Sequence, residues 1–271
     1  MSGFVANARM YAVAPAAEAA WREALARIVA EAGLAFDYLP YPAPQPLETL
    51  WARRDLGAVF MCGYPIALGL ADVVPLAAPI PDAPWADGRA VYRTDLIVRA
   101  DSPWRCLADS FEGRLGWTVE HSHSGFNALR HHLLAHRGPG RECLYRETRG
   151  HLVTARRILD SVRDGTIDIG PLDAYWHMLI RRHAPELCDG IRVLDSTDLA
   201  PAPAFVCAPS LGAAAVASLR AAFATAAKRD WFAPLAAQLC LVGFQAMSLG
   251  DYAPTLAWDR AARAAGYEVP R

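Results

Sequence analysis

The sequence contains almost no lysine. Of its 27 lysine and arginine residues, only Lys228 is a lysine. It also has no Gly-x-x-x-x-Gly-Lys-Ser/Thr loop, so a P-loop nucleotide hydrolase is excluded. An enzyme that works through a lysine Schiff base would depend on Lys228, which the pattern places near the end of a helix rather than in a site.

Closely spaced cysteines and long apolar runs are also missing. The closest two of the six cysteines, Cys188 and Cys207, are 19 residues apart, so nothing indicates a zinc ribbon or a redox pair. We expect reduced, buried thiols and no metal or other cofactor. No stretch reaches the roughly 20 apolar residues of a membrane span. The net charge of −1 argues against a general nucleic-acid binder, which needs a basic surface. We therefore expect a globular monomer that neither spans a membrane nor binds nucleic acid.

No secretory signal is evident at the start of the sequence. Residues 1–13 lack the charged start, the apolar run and the small-residue cleavage site of such a signal. The expected location therefore depends on the native start. It is cytoplasmic if Met1 is that start, and periplasmic if a signal peptide has been removed.

Strand-type and helix-type periods alternate along the 271 residues. Arg9–Val13 is predicted as a first strand, and residues 16–32 as a helix, because apolar side chains recur there at helical spacing. Short apolar segments at 57–61 and 204–207 are predicted as buried strands. This alternation is typical of α/β proteins, so we expect mostly parallel sheets flanked by helices.

Two strand–helix series predict two lobes. Extended segments near 91–99 and 192–207 separate the series and are predicted hinges. The first lobe would comprise residues 1–95 and 200–271, and the second lobe residues 96–199. A cleft between two such lobes is a common place for a ligand, because strand ends and helix N-termini converge there.

The run 120–127 is the most informative segment for a site. It follows an apolar strand and opens an amphipathic helix. Ser122, Ser124 and Gly125 at such a turn place hydroxyls and backbone N–H groups at the positive end of a helix dipole, where an anion can bind. Ordinary N-capping by one of the serines is the alternative. His123 could hydrogen-bond an anion and raise its affinity as the pH falls through the histidine titration.

Runs on either side of this turn carry a family resemblance. Leu107–Gly116 resembles the lead-in of type 2 periplasmic substrate-binding proteins, and Asp164–Tyr175 resembles their later Gly-x-x-Asp-x-Gly-x-x-Asp-x-Tyr segment. The strand end at Gly57–Tyr64, the turn at Ser122–Phe126 and the return segment Pro201–Pro203 complete the order. The whole arrangement, which covers nearly the entire chain, is similar to the phosphate/phosphonate-type binding proteins of ABC importers.

The resemblance implies a type 2 periplasmic-binding-protein-like fold and a non-catalytic substrate-binding protein. Such a protein captures a small phosphonate-like or phosphate-ester-like anion between its lobes and serves an ABC permease. The turn would hold the acidic head group, and Asp173 would suit an amine or a hydroxyl at the other end. The ligand-binding residues implied in this way are Ser122, His123, Ser124, Gly125, Phe126, Cys62, Tyr64, Asp173 and Tyr175.

Arg93 is a further candidate from the residues themselves. It lies on an extended segment between the predicted lobes, where its guanidinium could contact a carboxylate or phosphate through two hydrogen bonds. A salt bridge within its own lobe is the alternative.

Nothing in the sequence marks a catalytic site. A Gly-x-Ser-x-Gly motif is missing. His132 and His136 have the i, i+4 spacing of zinc ligands without the glutamate of His-Glu-x-x-His, which favours an exposed polar helix face. The missing signal sequence keeps two alternatives open. One is a cytosolic enzyme on the same fold, of the kind found in quinone or thiamin-precursor pathways, and the other is a cytosolic ligand sensor.

Overall fold

A computed structural model describes residues 3–271, which divide into two compact units. The first unit runs to Tyr92 and continues over Pro201–Ala253, and the second comprises Arg93–Ala200 and Pro254–Arg271. The chain therefore passes from one unit to the other three times. Met1 and Ser2, which the predicted first lobe included, lie outside the described residues.

Residues 3–271 contain thirteen strands and nine α-helices, numbered here in chain order. The strands are β1 Val5–Asn7, β2 Asp37–Tyr38, β3 Leu56–Met61, β4 Val74–Pro81, β5 Val91–Tyr92, β6 Thr94–Arg99, β7 Arg114–Gly116, β8 Glu147–Arg149, β9 Ile169–Asp173, β10 Ile191–Ser196, β11 Ala200–Pro201, β12 Ala204–Cys207 and β13 Leu241–Ala246. The helices are α1 Pro15–Glu31, α2 Leu47–Trp51, α3 Gly63–Leu68, α4 Ala128–Leu133, α5 Ala155–Arg163, α6 Ala174–His183, α7 Ala213–Thr225, α8 Phe232–Leu239 and α9 Ala253–Ala264. Within the described residues, none of the helices has both the length and the apolar character that a bilayer crossing requires.

The sheet of the first unit has six strands in the order β13-β4-β12-β3-β1-β2. β1 is parallel to β2 and β3, whereas β12 is antiparallel to β3 and β4, and β13 is antiparallel to β4. The prediction of a mostly parallel sheet is therefore wrong. β12 and β13 return to the sheet after long excursions, so no strand–helix–strand crossover joins them to their neighbours and forces them to be parallel.

Aromatic side chains fill the core of the first unit. Phe60 of β3 stacks on Phe205 of β12 at 3.7 Å between ring centroids. Trp21 of α1 packs its edge on Phe60 at 5.1 Å and is fully buried. Pro15 at the first position of α1 pre-sets the helical φ and has no N–H group to leave unpaired. The predicted helix and strand β12 are both confirmed.

Two segments of the first unit differ from their predictions. Arg9–Val13 is not a strand, because strand β1 ends at Asn7 and Arg9–Tyr11 forms a 3-10 turn. Asn7 Oδ1 accepts a hydrogen bond from the Arg9 N–H group at 2.9 Å, which bends the chain out of the sheet. β4 was not predicted, because it contains prolines, which are normally excluded from inner strands.

The second unit is built on a five-stranded sheet in the order β10-β6-β9-β7-β8. β7 is parallel to β8 and β9, whereas β6 is antiparallel to β9 and β10. This sheet is therefore also mixed. The chain first enters the unit on β6 and leaves it after β10, and these two strands are antiparallel to each other. Trp117 and Phe126, with Leu129 and Leu133 of α4, pack in the core against the strands.

The C-terminal segment 254–271 belongs to the second unit. Its predicted place in the first lobe is therefore wrong. The physical reason is Arg130 of α4, which is fully buried and pairs with Asp259 of α9. Asn127 Nδ2 also donates to the Thr255 carbonyl at 2.8 Å, and Tyr267 lies in the core of this unit. A buried charge that pairs over 129 residues leaves no local signal in the sequence.

Candidate functional site

The candidate site is a turn in the second unit between β7 and α4. Ser122 accepts a hydrogen bond from the Gly125 N–H group through Oγ at 3.0 Å, and its carbonyl accepts one from the Asn127 N–H group at 3.0 Å. Residues His123–Asn127 form a single π-helical turn that continues into α4. Ser122 is thus the N-cap, and the Gly125 N–H group points to it rather than outward.

Gly125 is held against Thr118. A Cβ atom at position 125 would lie 1.9 Å from Thr118 Oγ1, so no larger residue fits there without movement. The Thr118 N–H group donates to the Gly125 carbonyl at 3.1 Å. Thr118 Oγ1 is buried and has no hydrogen-bond partner within residues 3–271. The turn is therefore fixed from one side by the segment that leads into it.

His123 is buried between the turn and α9. Its side chain is only 1% exposed, and its ring stacks on Trp258 at 5.1 Å. Asn127 Nδ2 donates to the Thr255 carbonyl and lies 3.2 Å from His123 Nδ1, so Nδ1 is the acceptor and the neutral ring carries its proton on Nε2. Burial, with a smaller effect from His131, lowers the pKa of His123 to about 3. The predicted rise in affinity near the normal histidine titration is therefore not supported.

Ser124 and Phe126 occupy different environments in the same turn. Ser124 is partly exposed, and its carbonyl accepts a hydrogen bond from Thr94 Oγ1 at 3.2 Å. Its hydroxyl makes no hydrogen bond to the part of the chain that the structure describes. The Phe126 side chain is buried, with its ring 5.1 Å from that of Trp117 and 4.9 Å from the Arg130 guanidinium carbon. Only the backbone of Phe126 could contact a ligand, whereas Ser124 can offer its hydroxyl.

Thr94 connects the turn to two other predicted site residues. It pairs with Asp173 across β6 and β9, and the Ala174 N–H group donates to the Arg93 carbonyl at 3.0 Å. The second unit therefore brings the turn, Arg93 and Asp173 into one neighbourhood.

The two charged candidates already have partners within the second unit. Asp173 caps α6, and its Oδ1 accepts from the Tyr175 N–H group at 2.8 Å and the Trp176 N–H group at 3.0 Å. Arg93 Nε lies 3.4 Å from Asp95 Oδ1, which is the salt bridge that the sequence left as an alternative. Tyr175 is fully buried. Asp173 and Arg93 remain partly exposed and keep a charge at the surface.

Cys62 and Tyr64 lie together in the first unit, where β3 ends and α3 begins. Both side chains are buried, and Cys62 Sγ is 3.8 Å from Tyr92 Oη. Gly63 between them lies against the ring of Tyr252, because a Cβ atom there would be 2.4 Å from that ring. The structure therefore places these two residues at a strand end, in a closely packed turn.

Two cavities of the second unit are lined by residues outside the turn. One of about 630 Å³ is lined by residues that include Arg99, Asp160 and Arg163, and another of about 570 Å³ is lined by residues that include His177 and Arg192.

Within residues 3–271, no cluster of three or more histidine, cysteine, aspartate or glutamate side chains could hold a metal ion. His132 and His136 are not freely exposed, because His132 Nε2 lies 2.9 Å from Asp195 Oδ2 and the His136 ring packs on Phe111.

The sequence of the chain was compared with known families. The profile of a family described as ABC transporter, phosphonate, periplasmic substrate-binding protein matches residues 12–252. The chain belongs to this family. The resemblance inferred from the motifs is confirmed, and so is the role of substrate-binding protein in phosphonate ABC transport. The family is one of periplasmic transport proteins rather than of enzymes. A comparison with curated protein sequences found no match.

Solved structures share the fold at low sequence identity. A binding protein component of a phosphonate ABC transporter from Pseudomonas aeruginosa superposes with a TM-score of 0.78 at 16% identity, over 97% of this chain and 88% of that one. PhnD1 from Prochlorococcus marinus, in complex with methylphosphonate, has a TM-score of 0.76 at 12% identity, over 97% and 98%. The alkanesulfonate-binding protein SsuA from Xanthomonas axonopodis pv. citri, bound to MOPS, has a TM-score of 0.63 at 14% identity, over 100% and 96%. The predicted two-lobe, type 2 periplasmic-binding-protein fold is confirmed.

One residue beside the turn was missed in the sequence. His151 follows β8 with a φ of +56°, in the left-handed region, and its Nε2 lies 3.4 Å from Glu120 Oε1. The Leu152 N–H group donates to the Trp117 carbonyl at 3.2 Å, which holds this loop beside the turn. Non-glycine residues with positive φ concentrate at functional sites, but no short sequence pattern identifies them.

Proposed function

We propose that the ligand of this substrate-binding protein is a small phosphonate anion and that the 122–126 turn holds its acidic head group. The observation that carries the proposal is Ser124, a partly exposed hydroxyl without a partner among the described residues, in a turn whose backbone is fixed by Thr118. A fixed hydroxyl donor costs little to order when an anion binds. The family match and the methylphosphonate bound by PhnD1 support the same chemistry.

The remaining contacts would come from residues near this turn and from the strand end of the first unit. His151 is exposed beside the turn and can donate to an anion. Asp173 suits an amine or a hydroxyl on the ligand, and Arg93 suits an oxyanion. From the first unit, we propose that the turn at Cys62 and Tyr64 also contacts the ligand.

The family also supports proposals about location and partners. Because the family is one of periplasmic components of ABC transporters, we propose that this protein works in the periplasm and delivers its ligand to a permease. We also retain segments 91–99 and 192–207 as proposed hinges. Small-angle scattering tests the hinges, since we expect the radius of gyration to fall when methylphosphonate is added. An unchanged radius at saturation would reject them.

Calorimetric titration with methylphosphonate tests the ligand. We expect Ser124→Ala to weaken binding by about 1–2 kcal/mol, which is the contribution of one charge-assisted hydrogen bond. Ser210→Ala is the control, because that hydroxyl bonds to the Arg54 carbonyl in the first unit and should not affect affinity. An unchanged affinity in Ser124→Ala would make Ser124 a purely structural residue. If no phosphonate bound to the wild type, the ligand class itself would be wrong.

A further inference from the structure

Arg9 of the first unit has an unsatisfied hydrogen-bond donor. Its Nη1 atom is buried, and it has no hydrogen-bond partner within residues 3–271. A guanidinium N–H group that has lost water and gained no acceptor costs free energy. Such groups are uncommon in folded proteins, and each one calls for a physical explanation, of which a bound water, ion or ligand is one.

The backbone around Arg9 is firmly placed. Asn7 Oδ1 accepts from the Arg9 N–H group at 2.9 Å, and Asn7 Nδ2 donates to the Leu39 carbonyl at 2.8 Å, so one buried amide connects the ends of β1 and β2. Tyr11, two residues later, is buried with its ring 5.0 Å from that of Phe60. The side chain that carries the unsatisfied guanidinium is therefore attached to a firmly held part of the backbone.

Few groups near the Arg9 guanidinium offset its positive charge. It lies 5.7 Å from the centre of the Tyr41 ring, and the Tyr41 hydroxyl donates to the Pro46 carbonyl at 2.7 Å. Burial lowers the pKa of Arg9, and electrostatic interactions with Tyr41 and Glu48 offset this only in part. No carboxylate in the described part of the chain forms an ion pair with it.

Arg9 lies at the same sheet edge as the proposed first-unit ligand residues. β1, β2 and β3 are parallel, so their carboxyl ends share one edge. Arg9 follows β1 there, and the Cys62–Tyr64 turn follows β3. In open α/β sheets, ligands bind outside the carboxyl ends of the strands.

We propose that Arg9 binds a second acidic group of the ligand, so that the preferred substrates are phosphonates that also carry a carboxylate. The inference rests on the proposed function, because it assumes that a phosphonate is the ligand. A planar guanidinium matches a carboxylate through two parallel hydrogen bonds. Such a contact would satisfy Nη1 and neutralise the charge at this sheet edge.

The test compares phosphonoacetate with its amide, phosphonoacetamide, by calorimetric titration. The two ligands have nearly the same shape, and only the first carries the carboxylate. We expect the wild type to bind phosphonoacetate at least about tenfold more tightly, as charge-assisted hydrogen bonds predict. Arg9→Gln should abolish this preference and leave the affinity for methylphosphonate within about twofold. Arg9→Lys should keep part of the preference, since it retains the charge without the paired donors.

The control is Arg22→Gln, which removes an exposed guanidinium that stacks on the Tyr38 ring at 4.6 Å in the same unit. It should keep the full preference. Equal affinity of the wild type for the acid and the amide, or an undiminished preference in Arg9→Gln, would overturn the role of Arg9 while phosphonate binding stands. If the wild type bound none of the three phosphonates, the proposed function would fail and this inference with it.

Discussion

At the scale of single residues, the turn at 122–126 depends on the absence of a side chain at position 125. Gly125 has an ordinary negative φ, so its role is steric rather than conformational. Thr118 occupies the space that a side chain would need, and its own N–H group bonds to the Gly125 carbonyl. Close contact with this glycine sets the position of the cap at Ser122 and of the hydroxyl at Ser124.

We expect Gly125→Ala to lower the free energy of unfolding by about 1–3 kcal/mol, the usual cost of inserting a methyl group into a packed site. Thr118→Ala should recover part of this loss in the double variant, because it removes the nearest atom. Gly138→Ala is the control, since no atom lies within 4 Å of a Cβ built there. Urea unfolding of the four proteins measures the effect. If Gly125→Ala and Gly138→Ala were equally stable, the close contact would not constrain the turn.

His123 makes stability depend on pH. Its pKa is about 3 in the folded protein and near 6.5 in the unfolded chain, so below pH 6.5 the unfolded state binds a proton that the folded state does not. The contribution of His123 is therefore fully present above pH 6.5 and is lost as the pH falls toward 3. For this one group, the free energy of unfolding changes by at most about 1.4 kcal/mol per pH unit.

We expect His123→Gln to reduce the loss of stability between pH 6.5 and pH 5 by about 2 kcal/mol relative to the wild type. Urea unfolding at both pH values measures this difference. His151→Gln should show the wild-type loss, because that side chain is 67% exposed. An identical pH dependence in His123→Gln and the wild type would show that His123 is protonated in the folded protein at pH 5.

At the scale of elements, helices α4 and α9 pack together and support the turn at 122–126. Arg130 of α4 is completely buried, and Asp259 of α9 supplies its counter-charge. Asn127 donates to the Thr255 carbonyl, and the Trp258 ring stacks with the rings of both His123 and His131. The last helix of the chain therefore positions the helix that begins at the candidate site.

We expect Asp259→Asn to destabilise the second unit by about 3–5 kcal/mol, because it leaves the Arg130 charge buried without a counter-charge. The matched control is Asp160→Asn, which breaks an exposed pair with Arg156 in the same unit and should cost less than about 0.5 kcal/mol. Thermal unfolding monitored by circular dichroism compares the two variants. Equal losses would mean that the buried pair contributes no more than a surface pair.

Local patterns predicted the elements whose cause is local. α1 has apolar residues at helical spacing, and Ala204–Cys207 is a short apolar run, so both were predicted correctly. The 3-10 turn at Arg9–Tyr11 depends on the Asn7 side chain, and β4 keeps its place despite its prolines because β12 and β13 pair with it. These causes involve side-chain hydrogen bonds and distant strands, which apolar periodicity does not record.

The same limit applies to the candidate site. The turn was found because serine and glycine between a strand and a helix form a local pattern. The burial of His123 was not, because it depends on Trp258, which lies 135 residues away in the sequence. The loop that carries His151 is held beside the turn by hydrogen bonds from the Leu152 and Val153 N–H groups to the Trp117 and Thr118 carbonyls. The family motifs could locate the turn, whereas long-range packing decides which of its groups remain available.

At the scale of the whole molecule, the chain returns to the second unit at its end. The last residues extend the core there, since the Tyr267 hydroxyl donates to the Arg271 carbonyl at 2.9 Å and that carbonyl accepts from the Leu144 N–H group at 2.9 Å. Arg130 Nη1 also donates to the Glu268 carbonyl at 2.9 Å. The second unit is therefore completed only when residues 254–271 have been synthesised, whereas the first unit contains no residue of that segment.

This order of assembly predicts how a chain that stops at Ala253 would behave. Such a variant leaves Arg130 without Asp259 and removes Tyr267 from the core, so we expect native packing of the second unit to be lost. Hydrogen exchange followed by mass spectrometry should show increased exchange over α4 and the segment at Leu144. Strands β3 and β12 of the first unit are the internal control and should keep their protection, since none of their pairing involves the missing residues. Full protection of α4 in the shortened chain would mean that residues 93–200 fold without the C-terminal segment and that α9 is dispensable to the turn.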